Sequence, residues 1–274
     1  MNRNTLRAPL TLRGLGLHSG EPVTVTMRPG GDGIAFHYRG ERVPAVPANV
    51  TGTSRCTRLG PVSTVEHLMS ALACTQITDL EISVTAPELP GLDGSALPYV
   101  QALLATGLRP LAAAPAPRLR HPVRYTQGAT YVEARAGTGR WTCVYHLEGH
   151  WLGVQSLTVR LPGDHPDHIA PARTLVLAEE IPAARAHRLG RGLGPDSVVV
   201  IGAQTYEGPV RFSDEPVRHK MLDLIGDLYL TGIPPAHLDV TAHRSGHQAN
   251  VRLAQALTDA LVRPRRIPSP ARRR

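Results

Sequence analysis

Apolar positions along the chain follow two periodicities, one typical of strands and one typical of helices. Alternation of apolar and polar residues predicts strands at 23–27, 80–84, 197–201 and 238–241. Helical spacing of apolar residues is found at 65–72 and 217–228. A helix followed by an alternating strand thus occurs twice, without regular strand–helix–strand alternation. The pattern predicts an α+β fold built from two related halves.

A short Ala/Pro segment separates the two patterned stretches, at residues 112–117. We therefore predict a first α+β half at 1–112, which carries the TVEHL helix, and a second at 118–262, which carries the HKMLD helix. Residues 263–274 contain six arginines and three prolines and are predicted to be a disordered basic tail.

Composition narrows the class of protein. The chain has 274 residues, of which 42% are hydrophobic and 19% charged, and this composition excludes a disordered chain. It contains no apolar run of about 18 residues that could span a bilayer. The three cysteines form no C-x-x-C pair, as expected of reduced thiols. These features predict a cytoplasmic protein, which we expect to be a monomer.

The net charge of +8 is concentrated in the basic tail, whose six arginines account for most of it. The predicted folded body therefore gives no support for nucleic-acid binding. Two interpretations of the tail stay open. It could make weak contact with an acidic membrane surface, or it could be solvated without a specific partner.

Residues 63–72, STVEHLMSAL, allow two interpretations of Glu66. Ser63 and Glu66 have the spacing of a capping box, in which the two side chains satisfy free amides at a helix start. Alternatively, Glu66 is an acid next to a histidine ligand, His67, as in the helical His–Glu pairs of zinc hydrolases.

The second predicted helix carries a polar face of unusual composition. His219, Lys220, Asp223 and Asp227 fall in one arc, opposite an apolar side. His219 and Asp223 are four residues apart, so both side chains can reach one metal ion. The alternative is an ordinary amphipathic helix with a solvated face. Lys220 is the only lysine among 30 basic residues, which indicates a position where arginine cannot replace it.

If the two helices meet, His67 joins His219 and Asp223. Two histidines and one carboxylate leave a coordination position open, which is the pattern of catalytic zinc. Zinc lowers the pKa of its bound water to about 7, and a neighbouring carboxylate can take the proton. Glu66 is the candidate for that base.

A third segment, residues 241–250, contains His247 near a predicted helix start. Ser245 and Gln248 have the spacing of another capping box, opening a helix that runs to about residue 262. The helix dipole disfavours a charged histidine there, so a protonated His247 needs a carboxylate, which Asp227 could supply. Such a pair makes a general acid. The alternative is a surface histidine without a role.

Taken together, these segments resemble the bacterial UDP-3-O-acyl-N-acetylglucosamine deacetylases, which catalyse the committed step of lipid A synthesis. The resemblance extends from about residue 5 to residue 256. The matching motifs are GLGLHSG at 14–20, TVEHL at 64–68, PELPGLDGSA at 87–96, ART at 172–174, VRHKMLDLIGDL at 217–228 and SGH at 245–247.

The resemblance implies a fold of two α+β halves, each a β-sheet with two helices, with the helices sandwiched between the two sheets. It implies hydrolysis of the N-acetyl group of a UDP-linked, 3-O-acylated amino sugar with Zn²⁺, which Fe²⁺ could replace. The implied zinc ligands are His67, His219 and Asp223. The implied catalytic residues are Glu66 as base, His247 as acid, Asp227 as its orienting partner and Thr174 as oxyanion donor. The implied substrate-binding residues are Lys220, Leu175 and Arg244.

Two departures from the family concern substrate recognition. Leu175 follows the ART motif where the family usually has Phe, and residues 146–150 read HLEGH where the family commonly has DFNHP. In the family, an insertion in the second half forms an apolar passage for the acyl chain, which corresponds here to residues 174–204. Two other readings stay open: the same amidase chemistry on another N-acylated sugar, and a non-catalytic protein that retains zinc.

Overall fold

The structure is a computed structural model that describes residues 1–115 and 117–262. Its strands are β1 (Arg3–Leu6), β2 (Leu10–Leu15), β3 (Pro22–Pro29), β4 (Ile34–Tyr38), β5 (Glu41–Pro44), β6 (Val50–Gly52), β7 (Arg58–Leu59), β8 (Leu80–Val84), β9 (Leu108–Leu111), β10 (Arg118–Leu119), β11 (Val123–Gln127), β12 (Thr130–Ala136), β13 (Arg140–Leu147), β14 (Gly153–Arg160), β15 (Leu175–Leu177), β16 (Val199–Ile201), β17 (Leu238–His243) and β18 (Leu261–Val262). Its α-helices are α1 (Glu66–Cys74), α2 (Leu97–Thr106), α3 (His165–His168), α4 (Ile181–Ala186), α5 (Glu215–Tyr229) and α6 (His247–Ala260). Short 3-10 helices lie at Pro47–Asn49, Ala178–Glu180 and Pro235–His237.

Two five-stranded sheets have the same topology. The strand order is β2-β3-β8-β4-β5 in the first and β11-β12-β17-β13-β14 in the second. In each, the central strand is antiparallel to one hairpin and parallel to the other. Two hairpins, a helix, the central strand and a second helix follow each other in both halves. The prediction of an α+β fold with two related halves is therefore confirmed.

The helices lie between the two sheets because the inner face of each sheet is apolar. In β3, Val23, Val25 and Met27 are buried while the residues between them are partly exposed. Helix α1 packs against α5, and α5 and α6 pack against strands of the second sheet. Residues of α1 from Glu66 to Ala73 are all buried. One hydrophobic cluster extends through both halves, and it includes the apolar residues of α1 and α5, which pack against each other.

Neither of the two capping boxes considered from the sequence is formed. Helix α1 begins at Glu66 itself and has no side-chain cap, and the hydroxyl of Ser63 accepts a hydrogen bond from Arg58 Nε at 3.0 Å instead. Helix α6 begins at His247 after Gly246, again without a side-chain cap. The physical reason is the same in both cases, because each helix begins later than the capping box requires, at Glu66 instead of Thr64 and at His247 instead of Gly246, so that neither serine occupies the N-cap position. Helix α6 also ends earlier than predicted, where β18 pairs with β10.

Of the two segments predicted to lie outside the halves, the structure describes only the Ala/Pro segment, and that without residue 116. Residues 112–115 and 117 form neither helix nor strand, and the division into domains at this segment stays a prediction. The predicted basic tail, 263–274, lies outside the described residues. Within the described ranges, no helix has the length and apolar character needed to cross a membrane.

Gly226 of α5 allows the two central helices to approach closely. A Cβ atom at this position would lie 2.0 Å from the backbone oxygen of Glu66. We expect Gly226→Ala to push α1 away from α5 and to lower the free energy of unfolding by about 1–3 kcal/mol, the usual cost of overpacking a core. Urea unfolding measures this loss. Metal content should fall too, because α1 carries His67 and α5 carries His219.

Gly31→Ala is the matched control for this variant. A Cβ at Gly31 would meet no atom within 4 Å, and its backbone does not need the left-handed conformation. Its stability and metal content should stay close to those of the unsubstituted protein. If the two variants were equally stable, the close approach of α1 to α5 would not be the reason for a glycine at position 226.

Candidate active site

Two histidines and one aspartate meet where α1 contacts α5. His67 is the second residue of α1, and His219 and Asp223 lie one turn apart on α5. Asp223 Oδ1 lies 3.5 Å from His219 Nε2 and 3.9 Å from His67 Nε2. All three residues are buried, each about 3% exposed. The predicted meeting of the two helices therefore brings these side chains together.

The donor set of this cluster fits a divalent metal ion. Asp223 Oδ2 accepts a hydrogen bond from Lys220 Nζ at 3.0 Å, whereas Oδ1 is buried without a partner. His219 Nδ1 donates to the carbonyl oxygen of Ala172 at 3.1 Å, which leaves Nε2 free to bind a metal. Burial lowers the pKa of His67 to about 3 and also lowers that of His219, so both rings are neutral at pH 7. The three ligand atoms can hold one ion.

Glu66 lies beside this cluster on the first turn of α1. Its Oε2 accepts a hydrogen bond from the backbone N–H of Thr57 at 3.0 Å, and its Oε1 lies 3.9 Å from His247 Nε2. Burial raises the pKa of Glu66 to about 8. A carboxyl whose pKa lies this close to neutrality can both take up and release a proton near that pH. The side chain thus faces the cluster rather than the amides of its own helix.

His247 begins α6 and points into the same space. Its Nδ1 lies 3.0 Å from Asp227 Oδ2, and its Nε2 lies 3.9 Å from Asp223 Oδ2. Burial by itself lowers the pKa of His247, but the carboxylates of Asp227 and Asp223 outweigh it and raise the pKa to about 9. His247 is therefore protonated at neutral pH. Asp227 supplies the counter-charge that the helix start requires.

A cavity of about 380 Å³ opens over these residues. Thr174, Leu175 and Lys220 line it, and these are three residues to which the resemblance assigns contact with the substrate. Arg244 is not among its lining residues; its guanidinium contacts the ring of His146 and lies 3.4 Å from Glu148. His18, which belongs to the GLGLHSG motif, also lines the cavity.

Thr174 is held in place by the residue before it in the ART motif. Arg173 forms a buried ion pair with Glu215, with Nε at 2.9 Å from Oε1. The backbone N–H of Thr174 donates to Gly94 O at 2.8 Å, and its carbonyl accepts from Val199. These contacts attach Thr174 to both halves and to the first turn of α5.

A second, more apolar cavity of about 440 Å³ adjoins the first. Most of its lining residues belong to the stretch 174–204, for which the resemblance implies an apolar passage, and they come from α4, β15, β16 and the loops between them; Leu17, His18 and Arg55 of the first half complete the lining. Thr174 and Leu175 line both cavities, so the two are continuous there. The apolar lining residues are Leu17, Leu175, Val176, Ile181, Ala184, Leu189, Leu193, Pro195, Val198 and Val200.

Sequence reasoning missed two buried polar residues of the site, Thr57 and Asn250. Asn250 Nδ2 donates to Asp227 Oδ2 at 3.0 Å, and Thr57 contacts both Glu66 and Asp227. Asn250 interrupts the apolar face of α6, and such a polar residue on a buried face could have been noticed. Thr57 lies in a loop with no periodicity, and no sequence signal indicated it.

The fold and the site define a class of protein, an α+β protein with a buried set of two histidines and one aspartate that can hold a metal ion. The sequence model of the UDP-3-O-acyl N-acetylglycosamine deacetylase family matches residues 3–259, and the chain belongs to this family. It is similar to the UDP-3-O-acyl-N-acetylglucosamine deacetylases of Syntrophotalea carbinolica, with 36% identity over 93% of this chain and 87% of the relative, and of Thermosynechococcus vestitus, with 36% identity over 95% of both. The enzyme of that name from Haemophilus influenzae is 35% identical over 94% of this chain and 90% of the relative.

Proposed function

We propose that this chain hydrolyses the N-acetyl group of UDP-3-O-acyl-N-acetylglucosamine and releases acetate, as a step of lipid A biosynthesis. Besides membership of the family, one observation on the site supports this hydrolytic reaction. The unpartnered Oδ1 of Asp223 faces Nε2 of both His67 and His219, within reach of Glu66 and His247. This arrangement combines three metal ligands with a base and a protonated acid.

His67, His219 and Asp223 would hold Zn²⁺, which Fe²⁺ could replace. The metal would polarise the amide carbonyl and lower the pKa of a water molecule to about 7. Two histidines and one carboxylate leave a coordination position open for the reacting groups.

Glu66 would act as the general base. As the water oxygen bonds to the amide carbon, its proton passes to the Glu66 carboxylate. The buried position of Glu66 supports this role, since burial disfavours its charged form and makes it a stronger proton acceptor than an exposed glutamate.

His247 would act as the general acid. When the carbon–nitrogen bond breaks, the proton on His247 Nε2 passes to the leaving amine, and acetate and the free amino sugar result. Asp227 would keep the ring oriented and stabilise its positive charge. A protonated histidine at neutral pH suits this step.

Three further residues would bind the substrate around the reacting carbon. Thr174 would donate a hydrogen bond to the oxyanion that develops on the carbonyl. Lys220 would contribute its positive charge near the same position, and Leu175 would contact the sugar. Arg244, beside the cavity rather than in it, would contact the nucleotide part. A cytoplasmic location and a monomeric state stay predictions from the sequence, as does weak membrane contact through the tail.

The decisive experiment is mass spectrometry of zinc-loaded protein incubated with UDP-3-O-acyl-N-acetylglucosamine. Loss of one acetyl group from the substrate with release of acetate is expected. A chelator should abolish the reaction, and added zinc should restore it. Turnover of a different N-acetyl sugar in place of this substrate would favour the rival amidase, a possibility raised by Leu175 in place of the usual Phe.

Lys220→Arg is expected to lower turnover although the positive charge is kept. Lys220 Nζ lies 3.0 Å from Asp223 Oδ2, and a planar guanidinium cannot occupy the same position without displacing that carboxylate. Displacements of this kind cost roughly 10²-fold in rate. Steady-state kinetics on the zinc-loaded variant measure the loss.

The neighbouring substitution Arg218→Lys is the control. Arg218 pairs with Asp214 outside the cavity, and a lysine there should leave turnover unchanged. If Lys220→Arg retained full activity, the reaction would not depend on the shape of the lysine side chain, and the only lysine of the chain would have no role that arginine cannot fill.

A further inference from the structure

Thr57 contacts three of the residues assigned above to proton transfer. It is completely buried in the loop between β6 and β7. Its backbone N–H donates to Glu66 Oε2 at 3.0 Å, and its hydroxyl lies 2.5 Å from Asp227 Oδ1 and 3.3 Å from His247 Nδ1. Glu66 belongs to the first half, whereas Asp227 and His247 belong to the second. Thr57 therefore links the base to the acid pair across the contact between the halves.

The directions of these hydrogen bonds orient the ring of His247. A hydroxyl has one proton, and Thr57 donates it to Asp227 Oδ1, so its lone pairs face His247 Nδ1. Asp227 Oδ2, 3.0 Å from the same nitrogen, is also an acceptor. With two acceptors around it, Nδ1 must carry a hydrogen. The other nitrogen, Nε2, is left facing Glu66 Oε1 at 3.9 Å.

The backbone of Thr57 orients the carboxylate of Glu66 in a corresponding way. Because Oε2 is bound by the Thr57 N–H, Oε1 is the oxygen that faces His247 and the reaction space. The hydroxyl and the N–H belong to one residue, so a single buried threonine sets the relative placement of the base and the acid. Asn250 adds one more bond to Asp227 but contacts neither Glu66 nor His247 in the hydrogen bonds of the described residues.

We propose that Thr57 is a positioning residue for the deacetylation reaction. Its hydroxyl holds Asp227 and His247 in the geometry needed for proton delivery, and its N–H holds Glu66. This inference rests on the proposed function. It assigns to Thr57 no contact with substrate or metal, and it predicts an effect on turnover rather than on substrate binding.

Thr57→Val tests the hydroxyl alone, because valine has nearly the same shape and keeps the N–H bond to Glu66. We expect kcat to fall about 10- to 100-fold, the usual cost of losing a hydrogen bond that orients a site residue, with KM and zinc content little changed. Thr57→Ser retains the hydroxyl and should restore most of the turnover. Thr5→Val is the matched control, since Thr5 is equally buried and its hydroxyl also forms a hydrogen bond away from the site, accepting from the backbone N–H of Gly30 at 2.8 Å.

A double substitution separates positioning from general damage. In the Asp227→Ala background, Thr57→Val should cause little further loss, because the partner through which the hydroxyl acts is gone. If the losses of kcat from Thr57→Val and Asp227→Ala are fully additive, the proposal is overturned. The same holds if Thr57→Val has the kcat of the unsubstituted protein, or if Thr57→Val and Thr5→Val lose equal amounts of kcat. If Thr57→Val does not fold, Thr57→Ala replaces it in the same comparison with Thr57→Ser.

A spectroscopic measurement decides the proposal independently of activity. In ¹⁵N-labelled zinc-loaded protein, the Nδ1–H proton of His247 should be protected from exchange with water, and Thr57→Val should speed its exchange while Thr5→Val does not. Unchanged exchange in Thr57→Val would contradict the positioning role. Absence of acetate release by the unsubstituted protein would instead refute the proposed function, and the exchange comparison would still test Thr57.

Discussion

Glu66→Gln is expected to lower kcat by about 10²- to 10⁴-fold, the range attributed to general acid–base groups, while zinc stays bound. Glutamine keeps the shape of the side chain and an oxygen that can accept the hydrogen bond from Thr57 N–H. It cannot accept a proton from water. The metal ligands proposed here are other side chains, so zinc content should be unchanged. Metal analysis and steady-state kinetics on the same preparation measure both quantities.

Substitution of the proposed metal ligands should have the opposite effect on zinc content. His67→Ala and Asp223→Ala should lose zinc affinity, because each removes one of three ligand atoms that lie within 4.8 Å of one another. Turnover should then fall in proportion to the metal lost. A Glu66→Gln protein that retains zinc and full turnover would contradict the base assignment. A variant that loses zinc would mean that Glu66 supports the metal rather than the proton transfer.

Shortening the 3-O-acyl chain of the substrate is expected to cause the second large effect. The apolar cavity adjoins the reaction cavity at Thr174 and Leu175, so a chain attached near the reacting amide can enter it. Each buried methylene contributes about 0.8 kcal/mol, and six fewer would cost roughly 5 kcal/mol, or several thousand-fold in kcat/KM. The acylated substrate should therefore be strongly preferred over the unacylated sugar nucleotide.

A pair of substitutions on α4 tests whether this cavity is the one that binds the chain. Ala184 lines it, whereas its neighbour Ala183 does not and is exposed. Ala184→Phe should lower kcat/KM for long acyl chains and spare short ones, and Ala183→Phe should change neither. The measurement is kcat/KM across acyl lengths at fixed zinc loading. Equal rates for acylated and unacylated substrates would exclude the passage and favour the rival amidase.

Several features of the fold were determined by short-range patterns in the sequence. The strand at 80–84 and the helical spacing at 217–228 reappear as β8 and within α5 because alternation and helical periodicity act between residues a few positions apart. The i, i+4 spacing of His219 and Asp223 likewise placed both on one face of α5. The repetition of helix and strand indicated two related halves without any long-range information.

The sequence by itself left Glu66 undecided between a helix cap and a base, because both interpretations use the same local spacing. Only the tertiary structure showed that the partner of Glu66 is the N–H of Thr57, from a loop that no periodicity describes. The meeting of α1 and α5 was also beyond the local pattern, since it depends on the absent Cβ of Gly226 against the backbone of Glu66. Periodicity reports which face of an element is buried. Which elements then face each other, and which loop reaches between them, is decided by packing over the whole chain.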